Sequence, residues 1–240
     1  MPDDQNTIPG ETGPGEIGLL LGVDTCGPSG SVALGRLAGE SVEILEQIEL
    51  EGRNYSATLV AAVAELLAHA GVELKSLGAI VAVNGPGSFT GVRVGLSAVK
   101  GLAEAAQIPV VAVSRLEVLA WKAGVDSAAL DAHRHEVFLR LGVTGGKARE
   151  LLAGAEELAA LRLVGGQIAL CDEAATALLS ASWPAVSLMR MDPPAAADAL
   201  KLCAARVIHG DFVDLALLDG HYLRRSDAEI FGEAAKERGA

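Results

Sequence analysis

A glycine-rich turn between an apolar segment and a helical pattern constrains the fold of this chain more than any other feature. Residues 79–83 read A-I-V-A-V, which is typical of a buried strand, and the turn Gly-Pro-Gly follows at residues 85–87. Ser88 or Thr90 can cap the helix that begins next. The sequence therefore predicts a strand, a tight turn and a helix whose N-terminal amides can face an anion.

Two interpretations of this turn remain open from the residues alone. No Gly-Lys-Ser/Thr follows it and the spacing is not Gly-x-Gly-x-x-Gly, so it is neither a Walker A loop nor a dinucleotide-binding fingerprint. It is either a ligand-binding loop or a compact connection between a strand and a helix.

The composition favours a globular protein of a reducing compartment. Half of the 240 residues are hydrophobic and only 3% are aromatic, so small aliphatic side chains must fill the core. The net charge of −12 argues against nucleic-acid binding by this chain alone, because phosphate contacts need clustered Lys and Arg. Cys26, Cys171 and Cys203 have neither a disulfide framework nor a zinc-site spacing, which favours the cytosol. Neither a signal peptide nor a membrane-spanning segment is predicted.

The order of predicted elements repeats once along the chain. Residues 17–123 read as three strands, a helix, a strand, a helix, a strand and a helix, and residues 124–220 repeat this βββαβαβα order. Residues 1–16 are expected to form a disordered lead-in and residues 221–240 a C-terminal tail. We therefore expect an α/β fold of two subdomains with one topology.

Asp24, Thr25, Ser88 and Thr90 are the candidate nucleotide-binding residues. Asp24 ends the first predicted strand, and two such subdomains facing a cleft are the plan of actin-like and sugar-kinase-like ATPases, in which an aspartate here lies near phosphates or metal. An aspartate in this position also commonly hydrogen-bonds to its own turn. The residues support both hypotheses equally.

Two predicted helices carry faces of small residues that are candidates for a partner interface. The candidates are Ala57, Ala61, Ala64, Ala68, Gly91, Gly95 and Ala98. A mid-helix glycine such as Gly95 costs about 1 kcal/mol relative to alanine, so something should compensate. Close approach of another helix is expected, either within the domain or across a subunit interface.

His133 and His135 flank Arg134 on a predicted strand edge, where both rings would point the same way. Such a pair is either a fragment of a metal site or, as we expect, a solvated strand edge, because no third ligand lies nearby in the sequence. The sequence also has no nucleophile with a base at recognisable spacing.

Five short motifs carry a resemblance to a known family. They are L-G-V-D-T at residues 21–25, S-V-A-L at 31–34, N-Y-S at 54–56, G-P-G-S-F-T-G-V-R-V-G at 85–95 and Y-L-R-R at 222–225. In these motifs the chain resembles the TsaB (YeaZ) family over nearly everything from residue 17 to about residue 229, and the block at 85–95 is the specific one. The resemblance implies an actin-like ATPase (ASKHA, ribonuclease H-like) fold of two duplicated subdomains.

The resemblance also implies a function in the synthesis of threonylcarbamoyladenosine (t6A) in tRNA, next to the anticodon of tRNAs reading codons that begin with adenine. The catalytic subunit of that system is a TsaD-like paralogue, which carries a His-x-x-x-His metal pair where this chain has Arg115 and Leu119. A non-catalytic scaffold is therefore implied. It would bind no metal and require no cofactor, with weak binding of ATP or ADP at a degenerate site.

The partners implied by the resemblance are a TsaD-like paralogue and a small TsaE-like ATPase. The helices near residues 56–70 and 91–106 would form a helical bundle with the paralogue, and homodimers of the isolated chain would use the same surface. Contact with tRNA would be indirect, through the complex, in the cytoplasm and away from any membrane.

Two other classes of function remain to be weighed. An independent ATP-dependent phosphotransferase would use Asp24 and the loop from Ser88 to Thr90, but no general base is recognisable near them. A protease is disfavoured because both a nucleophile constellation and a metal pair are missing from the sequence. Arg224 and Arg225 are expected to lie on a solvated, charged tail.

Overall fold

Two five-stranded sheets of identical topology organise the chain. The computed structural model describes residues 18–51, 54–142, 147–161 and 166–224, and the predicted lead-in at residues 1–16 lies outside these ranges. In chain order the elements are β1 (Leu19–Asp24), β2 (Ser29–Ala38), β3 (Ser41–Glu51), α1 (Tyr55–His69), β4 (Leu77–Val83), α2 (Phe89–Ala106), β5 (Val110–Val113), α3 (Arg115–Ala123), β6 (Ser127–Asp131), β7 (Val137–Leu141), β8 (Arg149–Ala153), α4 (Ala155–Leu161), β9 (Gln167–Leu170), α5 (Glu173–Ser182), β10 (Ser187–Arg190) and α6 (Ala196–Ile208). The predicted repeat of βββαβαβα is confirmed.

Each sheet combines an antiparallel meander with two parallel strands. The first sheet has the order β3-β2-β1-β4-β5 and the second the order β8-β7-β6-β9-β10. β1 pairs antiparallel with β2 and parallel with β4, and all but one residue of β1 and of β4 is buried. Such uniformly apolar strands are expected for the parallel centre of a sheet that helices cover on both faces.

Helices α1 and α2 lie side by side on the first sheet. The predicted core stripe of α1, formed by Leu59, Val63, Leu66 and Leu67, is buried. Ala62 is buried with them, whereas Ala57, Ala61, Ala64 and Ala68 are exposed, so α1 keeps a second face free of the sheet.

The last helix of each half packs on the sheet of the other half. α3 contacts β6, β7 and β9, whereas α6 packs on β1, β2, β3 and β4. Gly22 of β1 permits this packing, because a Cβ there would lie 2.8 Å from the carbonyl oxygen of Ala196 in α6. The Ser31 hydroxyl accepts a hydrogen bond from the Ala196 amide at 2.9 Å and fixes the start of α6. The predicted boundary at residue 123 therefore separates the two repeats of the element order. In the packing, however, α3 of the first half lies on the second sheet and α6 of the second half lies on the first sheet.

The exchange of helices joins the two halves through a shared apolar core. Leu116, Leu119 and Ala120 of α3 pack there against β6, β7 and β9, with Leu130 and Phe138 among the contacts. Of the helices in the described ranges, none has the length and apolar composition that a bilayer crossing requires.

Candidate functional site

A cleft of about 830 Å³ lies where the two halves meet. Its walls are the turn after β1 (residues 26–28), the glycine-rich turn (86–89), the turn between β6 and β7 (130–134) and the start of the tail (221–224). The volume is in the range of small-molecule sites in proteins. The predicted ligand turn thus does line a cleft of that size.

Asp24 is buried at the end of β1, beside this cleft, and its carboxylate is fully engaged within the chain. Oδ1 accepts the backbone N–H of Cys26 at 2.8 Å, and Oδ2 lies 3.2 Å from Nε of Arg115. The contact with Cys26 is the turn hydrogen bond that was one of the two interpretations of Asp24 from the sequence. The contact with Arg115 is an ion pair that sequence spacing could not reveal. A metal or phosphate group would therefore have to displace Arg115 to reach Asp24.

Arg115 opens α3 and lies almost wholly buried, with 5% of its surface exposed. Burial alone would lower its pKa, but the charge of Asp24, its hydrogen bond and the nearby Cys26 and Cys171 together outweigh burial and raise the pKa above its ordinary value. Gly27 makes room for the guanidinium, because a Cβ at residue 27 would lie 2.3 Å from Nη2. The guanidinium is thus a permanent cation that closes the base of the cleft.

The two positions at which the resemblance places metal-binding histidines do not fit a metal. Arg115 is paired with Asp24, and Leu119 is completely buried in the shared core. Within the described ranges, no group of three or more His, Cys, Asp or Glu side chains is arranged to hold an ion. The residues present therefore favour an internal ion pair at this place.

Thr25 is held inside the chain by two glycines of α2. Its hydroxyl donates to the carbonyl of Gly91 at 2.7 Å, and Cβ atoms at Gly91 and Gly95 would lie only 2.1 Å and 2.2 Å from Thr25 oxygens. Both glycines are buried. The assignment of Gly91 and Gly95 to a partner interface is therefore wrong, since a loop of the same chain occupies the space that their missing side chains leave.

Ser88 and Thr90 differ in what they do at the start of α2. The Ser88 hydroxyl accepts the Gly91 N–H at 3.3 Å, which makes Ser88 the N-cap, while its own N–H donates to the Cys26 carbonyl at 2.8 Å. Thr90 is exposed. The capping role of Ser88 is confirmed, and a nucleotide role for either residue stays a prediction.

The histidine pair lies in a turn, which corrects the predicted strand edge. His133, Arg134 and His135 have φ values of 60°, 55° and 61°, so three successive residues adopt the left-handed conformation and the strand ends before them. His133 lies 3.0 Å from the Asp131 carboxylate through Nδ1, and its side chain is 85% exposed. The two rings therefore do not share a strand face.

The start of the C-terminal tail is tied down across the cleft, contrary to the expected solvated end. The His221 N–H donates to the Asn84 carbonyl at 2.7 Å, and the Tyr222 ring lies 5.1 Å from the ring of Phe89. Arg224 forms an ion pair with Glu136, because the tail crosses to the second half at this point. Arg225 lies outside the described residues.

Sequence reasoning missed two further anchors of the site. The buried Tyr55 hydroxyl donates to the Gly27 carbonyl at 2.9 Å and so steadies the turn after β1, and burial raises the pKa of Tyr55 to about 12. Glu150 accepts hydrogen bonds from Ser114 and Arg140 and lies 2.8 Å from His221. The N-Y-S motif pointed to Tyr55, whereas nothing local to β8 distinguished Glu150.

A second depression, of about 310 Å³, lies between α1 and α2 on the outer surface. Tyr55, Ser56, Leu59, Val60, Arg93, Val94, Ser97 and Ala98 line this α1/α2 groove. Val60 is 56% exposed, and the alanines of the predicted interface on α1, namely Ala57, Ala61, Ala64 and Ala68, are all exposed beside it. Four of the seven candidates thus form a continuous outer face of α1, with half-buried Ala98 at the groove.

Comparison with known proteins shows likeness in both sequence and structure. The sequence model of the family described as "TsaD: tRNA N6-adenosine threonylcarbamoyltransferase" matches residues 43–174, which is more than half of the chain. Proteins named "tRNA threonylcarbamoyladenosine biosynthesis protein TsaB" from Haemophilus influenzae and Bacillus subtilis are 38% and 37% identical over 125 and 126 residues. These matches cover 50% and 51% of this chain and 51% and 54% of the relatives. The chain therefore spans about half the length of the curated relatives it matches.

A crystal structure from Pseudomonas aeruginosa, described as an uncharacterized protein with similarity to peptidase YEAZ, is similar over a longer stretch. It is 30% identical, its TM-score is 0.70, and the match covers 86% of this chain and 100% of that one. The likeness thus extends through both sheets.

Proposed function

The chain belongs to the TsaD-type tRNA N6-adenosine threonylcarbamoyltransferase family, on its TsaB (YeaZ) branch, and we propose that it is a non-catalytic subunit in t6A synthesis. It has the actin-like fold of that family, as the resemblance implied. The modified adenosine would lie next to the anticodon in tRNAs that read codons beginning with adenine. The role of this chain is to activate a TsaD-like paralogue.

One observation carries the proposal, namely the buried pair of Arg115 and Asp24. The guanidinium stands where the resemblance places the first metal-binding histidine, and it neutralises the carboxylate that would otherwise face a bound nucleotide. A subunit with this pair supplies a folded surface and leaves the chemistry to its paralogue.

The proposed contact surface for the paralogue is the outer face of α1 with the α1/α2 groove. The outer face of α1 is apolar and its side chains are short, since it is formed by Ala57, Ala61, Ala64 and Ala68. Ala98 of α2 lines the adjacent groove. Small residues let a partner helix approach closely, so the surface suits a helical bundle. In the absence of the paralogue the same surface pairs two copies of the chain, and a TsaE-like ATPase joins the assembled pair.

The charge of the chain fits an indirect relation to tRNA. With a net charge of −12, the chain leaves phosphate contacts to its partner in the cytoplasm. ATP or ADP binds the cleft only weakly in this proposal, at Ser88, because Asp24 is occupied by Arg115 and the Thr25 hydroxyl is donated to the Gly91 carbonyl. Tight, magnesium-dependent binding of ATP to the isolated chain in calorimetry would instead favour the phosphotransferase alternative.

Reconstitution tests the proposal directly. Purified TsaD-like paralogue, TsaE-like ATPase, tRNA and threonylcarbamoyl-adenylate are incubated with and without this chain, and modified adenosine is counted. We expect modification to depend on the chain. Equal modification in its absence would disprove the activator role.

Ala61→Glu tests the contact surface through its affinity for the paralogue. It places a charge on the exposed face of α1 and should weaken association with the paralogue by at least about tenfold, because an unpaired charge would be buried. Ala177→Glu is the matched control, since Ala177 is an exposed alanine on α5. Equal loss with both variants would show that the effect does not belong to the α1 face.

A further inference from the structure

Arg93 on α2 is a cation without a counter-charge in the described structure. It is exposed and has neither an ion pair nor a hydrogen bond within the described ranges, and its guanidinium lies against the aromatic rings of Phe89 and Tyr222. By contrast, Arg36, Arg190 and Arg206 each meet a carboxylate of the chain itself. A chain with a net charge of −12 has many carboxylates to offer, yet among the described residues none meets Arg93.

Arg93 lines an apolar groove. Among the residues that line the α1/α2 groove, Arg93 alone is charged, and Leu59, Val60, Val94 and Ala98 supply most of the apolar surface. A helix that covers this groove removes Arg93 from water. Burying a guanidinium without a partner costs far more free energy than burying the aliphatic residues around it.

Aromatic stacking holds the guanidinium ready for a ligand. Cζ of Arg93 lies 3.8 Å from the ring centroid of Phe89, one helical turn earlier in α2, and Phe89 is backed by Tyr222 of the tail. A guanidinium stacked on a ring still presents its edge N–H groups, which match the two oxygens of a carboxylate. Because stacking already restricts the side chain, less conformational entropy is lost when the carboxylate binds.

We propose that the α1/α2 groove receives a helix of the paralogue that carries an aspartate or glutamate among small apolar side chains, and that this carboxylate pairs with Arg93. The inference rests on the proposed function, since it names the chemistry of the partner at the same surface. Arg93 sets the register of the docked helix, because a shift of that helix by one turn would leave the charge of Arg93 buried and unpaired.

A second copy of the chain is the competing occupant of the groove. The α1 helix of that second copy carries Glu65, an exposed carboxylate close to His69. Among the described residues of α1, Glu65 is the carboxylate that a homodimer could bring to Arg93. We favour the paralogue, because Glu65 already has a neighbour of its own in His69 at 4.0 Å.

The test compares Arg93→Gln with Arg149→Gln in binding to the TsaD-like paralogue. Arg149 is also exposed and without an ion pair among the described residues, but it lies on β8, away from the groove. Affinity is measured by calorimetry at low and at high salt. Arg93→Gln should weaken binding about tenfold or more and flatten the salt dependence, whereas Arg149→Gln should bind as the unchanged chain does. Arg93→Glu should weaken it further, and reversing the partner's carboxylate to arginine should restore binding to that variant.

Each other outcome has a distinct meaning. If Arg93→Gln binds with unchanged affinity and salt dependence while Ala61→Glu does not bind, the groove is the interface but the proposed pair is wrong. If Ala61→Glu also binds normally, the proposed contact surface itself fails. If Arg93→Gln and Glu65→Gln dissociate only the homodimer, the occupant is a second copy and the inference is overturned.

Discussion

The guanidinium of Arg115 lies 3.2 Å from the carboxylate of Asp24, and both side chains are more than nine-tenths buried. One residue belongs to the first sheet and the other opens the helix that packs on the second sheet. The pair therefore joins the two halves at the base of the cleft. A buried pair of this kind is costly to break, because removal of either side chain leaves the other one charged, desolvated and without a partner.

Replacement of Arg115 by methionine should lower the free energy of unfolding by about 3–5 kcal/mol, because Asp24 would remain as an uncompensated buried charge. Urea unfolding followed by circular dichroism measures the change. Arg190→Met is the matched control, since Arg190 pairs with Glu173 on the surface and should cost less than about 1 kcal/mol. Combining Arg115→Met with Asp24→Asn should recover part of the loss. A cost below about 1 kcal/mol for the single variant would mean that the pair contributes little.

Two glycines of α2 should respond in opposite directions to alanine. A Cβ at Gly95 would lie 2.2 Å from the Thr25 hydroxyl, so Gly95→Ala should cost about 1–3 kcal/mol through the displaced Thr25. A Cβ at Gly101 would meet nothing within 4 Å, so Gly101→Ala should add about 0.5–1 kcal/mol of stability. Thermal unfolding of the two variants, which differ only in position along one helix, measures both. Equal effects would refute the assignment of Gly95 to internal packing.

The order of the elements was predictable from local pattern. Alternating and continuous apolar runs placed the strands, and Ser88 and the glycine-rich turn placed the start of α2. The exchange of α3 and α6 was not predictable, because an apolar helix face does not specify which sheet covers it. Gly22 and Gly35 were local traces of that packing, but glycines within strands also occur at bulges and sharp bends.

The site was predictable only in part, since its contacts are non-local. Asp24 and Arg115 are 91 positions apart, and their pairing depends on the helix exchange. The small face of α2 was recognised from its residues, but the sequence could not show that Thr25 fills the space beside Gly95. The turn at His133 was misjudged because three successive non-glycine residues with positive φ are rare and leave no signature in composition.

Glu150 should make stability depend on pH in the acid range. Its carboxylate accepts hydrogen bonds from Ser114 at 2.7 Å and Arg140 at 2.8 Å and lies 2.8 Å from Nε2 of His221. Burial alone would raise the pKa of Glu150, but these three partners outweigh it and hold the pKa below its ordinary value. A lowered pKa means that the folded state binds the Glu150 proton less readily than the unfolded state does.

The stabilisation by Glu150 is therefore fully present above about pH 4.3, the ordinary pKa of glutamate, and is lost as the pH falls through the lower pKa of the folded state. Glu150→Gln should cost about 2 kcal/mol at pH 7, and the difference from the unchanged chain should shrink below about pH 4. Urea titrations between pH 7 and pH 3 follow this difference. Glu43→Gln is the control, because Glu43 meets Arg36 on the surface at 3.8 Å and its loss should be small throughout. A gap that stays constant down to pH 3 would show that Glu150 acts through packing and not through its charge.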